Sequence, residues 1–328
     1  MKAVWYEDFG AADVLRHGDI DDPVVGPGEV LVRVKASGVN PVDVKRRQGG
    51  RGEMTDPRVI PHFDGAGAIE AVGEGVDAGR VGERVWIYEG QWQRALGTAA
   101  ELVALPAANV SPLPEAASFA EGACLGIPAL TAHRCVYGDG PVEGQTVLVT
   151  GGAGAVGSYA VQMAALGGAN VIATTSGGAK AERAAELGAS HVINYREENV
   201  AERVLELTDG AGVDRIVEVE LGGNLEASVP ALKVNGVIAS YASQAAPEPV
   251  IPYYALLYKC ATIRFEVVFL MPSTSKCKAL GDISRWLEAG ALKHPAIEEI
   301  PLAEAVRAHK MVEDGYYGKV VLNLEGAS

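Results

Sequence analysis

The sequence predicts an α/β protein of two domains, a small one rich in β-strands and a larger one built on a doubly wound parallel sheet. Three observations carry this prediction. The chain has 328 residues, more than one ordinary core holds, because domains run to roughly 100 to 200 residues. Its first third alternates apolar and polar residues between clusters of Gly and Pro. From about residue 146, short apolar runs alternate with helical stretches, the order of a parallel sheet with helices on both faces.

Residues 29–37 and 66–72 alternate as half-buried strands, and Gly26-Pro27-Gly28 and Gly73-Glu74-Gly75 punctuate them. Residues 119–136 read as one helix, followed by the turn Gly138-Asp-Gly-Pro141 and the apolar run Thr146-Val-Leu-Val-Thr150. Further strands are expected at 170–175, 191–194, 213–219, 234–240 and 261–269. Between them lie helical stretches at 156–166, 179–187, 200–208 and 225–232. After residue 270 come helices at 275–289 and 302–312 and a last strand at 319–324, an ending expected to return to the first domain. The division expected is therefore 1–122 for the β-rich domain, 123–270 for the parallel-sheet domain and 271–328 for a segment completing the first.

Composition narrows the functional classes. Hydrophobic residues make up 48% and charged residues 21%, a foldable balance, and no apolar run reaches the roughly 18 residues of a bilayer span. The opening residues Met1 to Glu7 carry neither a basic leader nor an apolar signal core, so a cytoplasmic protein is expected. A formal charge of −14 repels phosphate backbones and anionic membranes, so neither is expected as a partner. Cys124, Cys135, Cys260 and Cys277 form no Cys-x-x-Cys pair and read as reduced, mostly buried residues.

The chemistry starts at Gly151-Gly-Ala-Gly-Ala-Val-Gly157, between a buried-type strand and an apolar helix. With 40 glycines in the chain, the triplet Gly152-x-Gly154-x-x-Gly157 arises by chance about 0.6 times, so its strand–turn–helix setting carries the weight. Such a loop needs one glycine for an unusual φ, one for approach to a pyrophosphate and one for helix packing. The helix N-terminus then points amides at the phosphates, so Gly152, Ala153, Gly154, Ala155, Val156 and Gly157 are the expected dinucleotide cradle. A plain Gly-rich turn is the competing reading.

The end of the next strand selects the cofactor. An acid there would bind the free ribose 2′-hydroxyl of NAD, but Val171-Ile-Ala-Thr-Thr-Ser176 ends in hydroxyls and Lys180 opens the following helix. Lys180, with Tyr195 and Arg196 after the third strand, suits a 2′-phosphate, so NADPH is expected over NADH.

Together these features resemble the zinc-free quinone oxidoreductase branch, the zeta-crystallin-like proteins, of the medium-chain dehydrogenase/reductase superfamily. The likeness spans nearly the whole chain. It includes Gly38-Val-Asn-Pro-Val-Asp43, Asp64-Gly-Ala-Gly67, Glu70-Ala-Val-Gly73, Gly82-Glu-Arg-Val85 and Gly126-Ile-Pro-Ala-Leu-Thr-Ala132. It continues through the glycine loop, Glu186-Leu-Gly-Ala189, Ile193-Asn-Tyr-Arg196 and Gly318-Lys-Val-Val-Leu322. The resemblance implies a GroES-like catalytic domain, a Rossmann domain with nicotinamide held between them, and a homodimer through Rossmann edge strands, here residues 261–269. It also implies Asn40 and Asp43 in the active-site loop, Ser176, Lys180 and Tyr195 at the 2′-phosphate, and Thr131 and Lys319 among the cofactor-binding residues.

Zinc-dependent members of the superfamily carry a catalytic Cys near the position of Ser37, a Gly-His-Glu where this chain has His62-Phe63-Asp64, and a four-Cys lobe that this chain lacks. Three protein ligands are needed for a catalytic zinc. No Cys precedes residue 124, so no metal is expected. Two departures from the family pattern bear on the substrate: His62-Phe63-Asp64 replaces a run of small residues, and Glu220 adds a carboxylate near the expected nicotinamide.

The implied reaction is hydride transfer from NADPH to a quinone or an enone, with a donor stabilising charge on the carbonyl oxygen. Asn40 is the candidate donor and Asp43 the residue fixing its loop, although an Asn-Pro turn explains both as well. His133 and His309 read as packing histidines, Trp86 and Trp92 as core or rim residues, and Tyr253, Tyr254 and Tyr258 as interface residues. Two alternatives stand beside a quinone reductase: an enone or enoyl-thioester reductase on the same fold, and an NADPH-binding structural or RNA-binding protein, which the acidity disfavours.

Overall fold

Alternating side chains need one sheet face to bury, and the first part of the chain supplies it. The computed structural model describes residues 1–50, 53, 54 and 56–325, so the last three residues of the 271–328 segment lie outside it. Strand β1 (Lys2–Trp5) pairs antiparallel with β2 (Arg16–Asp19). There follow β3 (Glu29–Val39), α1 (Pro41–Arg47), β4 (Asp64–Val72), β5 (Arg84–Ile87), β6 (Leu102–Pro106), β7 (Val110–Pro112), α2 (Phe119–Gly122) and α3 (Gly126–Tyr137). The β-α alternation comprises β8 (Thr146–Val149), α4 (Ala155–Leu166), β9 (Asn170–Thr175), α5 (Ala179–Glu186), β10 (His191–Asn194), α6 (Val200–Leu207), β11 (Val213–Glu218), α7 (Leu221–Ala231), β12 (Leu232–Ser240), α8 (Tyr253–Leu257) and β13 (Thr262–Phe265). Last come α9 (Ser273–Glu288), β14 (Ile297–Pro301), α10 (Ala305–Glu313) and β15 (Lys319–Asn323).

Residues Met1–Ile127 and Leu280–Ser328 form one unit, here the β unit, and Pro128–Ala279 form the α/β unit. The chain passes between them inside α3 and again inside α9, where the change of sequence rhythm had suggested boundaries at 122 and 270. In the β unit, seven strands form one sheet in the order β14-β15-β3-β4-β5-β7, with β6 also pairing β3. The alternation of β3 buries Val30, Val32 and Val34 beside Ile69, Val85, Leu105, Val320 and Leu322. Each such side chain contributes roughly 1.5–3 kcal/mol of burial.

In the α/β unit the strands run β10-β9-β8-β11-β12-β13, all parallel. Strand order therefore reverses between β8 and β11, and a crevice opens at the carboxyl ends of the strands there. Leu148, Ile172, Ile193, Ile216 and Ile238 from the strands pack with Val204, Leu225 and Val229 from the helices. Among the described residues no helix is long and apolar enough to cross a membrane.

Several elements differ from the sequence expectation, each for a physical reason. The helix expected over 119–136 is two, α2 and α3. The second starts afresh because the Asp64 carboxylate, remote in sequence, accepts the Ile127 amide at 2.9 and 3.0 Å. Only Gly fits at 126, where a Cβ would lie 2.1 Å from Asp64 Oδ1. The strand expected over 261–269 stops at Phe265, whose partner Ser240 ends β12, and Val268–Leu270 turn as a 3-10 helix. The helix expected from 225 begins at Leu221, and β14, unmarked by alternation, gains its place by pairing with β15. Cys124 and Cys135 are buried as expected, but Cys260 and Cys277 are exposed.

Candidate functional site

The glycine loop leaves β8 and enters α4 as a tight turn. Gly151 takes φ +63°, the left-handed region that glycine tolerates, so the turn glycine stands one residue before the recognised triplet. Gly152 and Gly157 are fixed by crowding: a Cβ would lie 2.7 Å from Ala173 Cβ at the first and 2.2 Å from Gly151 O at the second. The loop is tied to β9 by Gly152 N donating to Thr174 O at 2.9 Å and Gly151 N to Thr174 Oγ1 at 3.1 Å. Gly154 is the N-cap of α4, which leaves the amides of Ala155, Val156 and Gly157 without intrahelical acceptors. Those amides, with the positive end of the helix dipole, fit a diphosphate.

Strands β9 and β10 are neighbours in register, Asn194 opposite Thr175, and Tyr195 N donates to Thr175 O at 3.1 Å. This brings Ser176, Lys180 in the first turn of α5, and Tyr195 to one corner of the sheet. Tyr195 is 50% exposed. The β9 end carries hydroxyls and the corner a lysine, so a phosphate on a bound ribose meets donors and a cation instead of a carboxylate. Thr131 lies buried on α3 in this unit, whereas Lys319 belongs to the β unit.

Between these features and α7 is a cavity of about 490 Å³, lined by Thr150, Gly151, Thr174, Tyr195, Val200, Val219, Glu220, Asn224 and Ser228 among others. Beneath it sits Glu218, at 0% exposure. Its carboxylate accepts from the Thr150 hydroxyl at 2.8 Å, Glu220 N at 2.9 Å, Asn224 Nδ2 at 2.7 Å and the Ser228 hydroxyl at 2.8 Å. A buried carboxylate requires such a full set of partners. Glu218 was missed by sequence reasoning, although an acid directly after the apolar pair Ile216-Val217 at a strand end was the available signal.

The β unit holds a second polar group of residues, formed by side chains. Asn40, the N-cap of α1, donates Nδ2 to Asp64 Oδ2 at 2.8 Å and accepts at Oδ1 from the Lys319 ammonium. Its backbone amide donates to Asp43 Oδ2 at 2.6 Å, and its side chain also bonds Asp43. Lys319 Nζ stands 3.6 Å from Asp64 Oδ2, and all four residues are at most 3% exposed. Burial, then the neighbouring Asp64 charge, pushes the Asp43 carboxyl up to about 7. Burial also raises Asp64, against the opposing pull of Lys319 and its hydrogen bonds. Asn40 is thus engaged at both ends of its amide, where a free donor had been expected, and it acts as the hub between two acids and one base.

Beside this group runs a buried chain of hydrogen bonds. Ser37 Oγ lies 2.8 Å from both Thr98 Oγ1 and His62 Nδ1, and His62 Nε2 lies 3.0 Å from His309 Nε2. His62 holds φ +82°, unusual for a residue with a side chain. Burial pushes both imidazoles down, His62 well below the usual value and His309 to about 3, so both are neutral near pH 7. The packing role expected for His309 thus includes a specific partner, His62. These donors do not suit zinc. Both His62 nitrogens are engaged, a lysine ammonium flanks Asp64, and no three His, Cys, Asp or Glu groups converge among the described residues.

Known proteins share this architecture. The model of the alcohol dehydrogenase GroES-like domain matches residues 26–115, and that of the zinc-binding dehydrogenases matches residues 155–283. Quinone oxidoreductase of Rattus norvegicus is 31% identical over 331 residues, which cover 99% of this chain and 98% of the rat protein. The 2-methylene-furan-3-one reductase of Solanum lycopersicum is 36% identical over 207 residues, 61% of this chain and 53% of its own. The crystal structure of Escherichia coli quinone oxidoreductase complexed with NADPH matches 98% of this chain and 100% of its own, with a TM-score of 0.86 and 26% identity. End-to-end likeness of sequence, added to the glycine loop and the reversed strand order, shows that this chain belongs to the quinone oxidoreductase branch of the medium-chain dehydrogenase/reductase superfamily.

Proposed function

We propose that the protein is an NADPH-dependent, zinc-independent oxidoreductase that transfers hydride to a quinone or related electrophilic carbonyl. The observation that carries the cofactor choice is the corner where β9 and β10 end: hydroxyls at Thr175 and Ser176, Lys180 in the next helix turn and no acid at the strand end. When bound, NADPH supplies the hydride. The α4 amides would hold its diphosphate, and Ser176, Lys180 and Tyr195 its 2′-phosphate. Within the β unit, Asn40 and Asp43 act as positioning residues that keep the Lys319 ammonium fixed in a site of low dielectric, where a cation stabilises developing negative charge strongly. Thr131 and Lys319 are further candidate cofactor contacts.

Steady-state oxidation of NADPH against a panel of quinones and enones tests this reading. Quinone turnover, unchanged after chelator treatment and faster with NADPH than with NADH, is expected. Turnover of enones with none of any quinone would favour the second reading, an enone reductase, which the likeness to the tomato reductase supports. We further propose a cytoplasmic homodimer through β13, whose neighbourhood exposes Phe265 (71%), Val267 (51%) and Leu270 (71%). Sedimentation of a monomer at micromolar concentration would sink the dimer.

A further inference from the structure

We propose that His62 and His309 are positioning residues for the hydride transfer assigned above: joined to Ser37 and Thr98 in a hydrogen-bonded file whose protons all point one way, they hold Asp64, and with it the Lys319 ammonium, in place from helix α10. The inference rests on that reading of the reaction.

The order of the protons follows from counting hydrogens. The Thr98 hydroxyl has one, and it goes to the Asp64 carbonyl oxygen at 2.6 Å, which only accepts. Ser37 Oγ, 2.8 Å from Thr98 Oγ1, must then donate to Thr98. With its own hydrogen spent, Ser37 accepts from His62, so the proton of His62 sits on Nδ1. Burial keeps both imidazoles neutral near pH 7, with one proton each. His62 Nε2 is therefore a bare lone pair, and its 3.0 Å contact requires His309 Nε2 to donate. His309 Nδ1 is left as an acceptor.

The far end fits that assignment independently. Arg47 is at 0% exposure, and it bonds Glu313, one helical turn beyond His309 on α10. Burial first, and then the Arg47 charge, holds the His309 pKa down. A guanidinium has donors only, and Arg47 Nε and Nη1, like His309 Nδ1, are buried without a hydrogen-bond partner among the described residues. A cation on that side favours a lone pair over an N–H.

Position gives the file its consequence. His62 holds φ +82°, a conformation that costs a residue with a side chain roughly 1–3 kcal/mol and persists where the surroundings enforce it. Its carbonyl takes the Thr98 amide at 3.1 Å, and the Thr98 hydroxyl clasps the carbonyl two residues on. Asp64 thus enters β4 with its backbone fixed, and its carboxylate meets Asn40 Nδ2, the Ile127 amide and, at 3.6 Å, Lys319 Nζ. A shift of Asp64 moves the cation on which developing charge depends, and small displacements of such groups are costly to rate.

Histidine-labelled protein and three variants test this. Nitrogen NMR of the unaltered protein at pH 7 should show His62 protonated at Nδ1 and His309 at Nε2; the opposite tautomer at either residue overturns the inference. His309→Phe keeps a ring and loses both hydrogen bonds, and kcat for a quinone or enone is expected to fall on the order of tenfold with KM for NADPH little changed. His309→Gln, which can still donate to His62 and accept from Arg47, should recover most of that loss. Thr98→Val cuts the file at its other end and should add little to the His309→Phe defect, because the two act as one unit. An unaltered kcat in His309→Phe, or equal defects in the Phe and Gln variants, overturns the positioning role; where His309→Phe does not fold, an unaltered kcat in Thr98→Val does so. No turnover of any quinone or enone by the unaltered protein overturns the reaction reading instead, and the proton order then stands or falls by the NMR.

Discussion

The nucleotide pocket and the buried polar group of the β unit recognise charge by opposite means. The first is built from backbone, with glycines placed where a Cβ would strike Gly151 O or Ala173 and with helix amides left open. The second is built from side chains, with Lys319 set between Asn40 and Asp64 at no more than 3% exposure. A backbone site is precise because its donors cannot rotate; its vulnerability is steric. A side-chain site in low dielectric gains strength from burial, and its vulnerability is the loss of one charge from a balanced set.

Removing the charge tests the contrast most severely. Lys319→Met leaves two buried acids facing Asn40 without their cation, and it is expected to lower stability by about 3–5 kcal/mol. Urea unfolding at pH 7 measures this, and a loss below about 1 kcal/mol would show that the ammonium is not the keystone. Gly157→Ala attacks the other site. Its cost in stability is smaller, about 1–3 kcal/mol, but dinucleotide binding should vanish from calorimetry; retained affinity would show that α4 can shift away from the loop.

A pH series sharpens the comparison. Burial pushes His309 down to about 3 in the folded protein from an ordinary 6.5, so as pH falls below 6.5 the unfolded chain takes a proton that the folded one refuses. Relative to His309→Asn, the unaltered protein should lose about 1.4 kcal/mol per pH unit through that window. Asp43 runs the other way: its folded pKa of about 7 lies above 3.8, so the stability it contributes at low pH is lost as pH rises toward 7. A stability difference between the two proteins that stays flat from pH 6.5 to 4 would contradict the buried-imidazole account. The smallest effect is expected at the corner of β9 and β10. There Lys180→Ala should raise KM for NADPH about tenfold while leaving KM for NADH almost unchanged, and equal changes would remove the phosphate assignment.

The two regions were unequally legible in the sequence. The glycine loop, its strand and its helix could be read directly, because every requirement is local: a turn, a close approach and a helix start within seven residues, Gly151 to Gly157. Even there the left-handed residue proved to be Gly151, one position before the triplet. In the β unit, Asn40 and Asp43 lie together at the start of α1 and were recognisable, but their partners Asp64 and Lys319 come from distant strands. Pairings of that kind follow from sheet register, here Leu322 opposite Ser37 and Gly38 opposite Asp64, which no local pattern encodes. The start of α3 and the His62–His309 pair escaped for the same reason.

Strand β15 sits in the interior of its sheet, between β14 and β3, yet it is made of residues 319–323. On the ribosome, β3 emerges nearly three hundred residues ahead of this strand, so although β6 covers Glu29–Arg33, the Ala36–Val39 stretch of that edge stays open through most of synthesis. The α/β unit is complete by Ala279 and is free to fold in that interval. Lys319 and His309 also arrive last. Vectorial growth therefore orders the assembly, with the nucleotide cradle before the buried charges, and a nascent chain stalled short of residue 319 should expose an unpaired strand edge to chaperones and proteases.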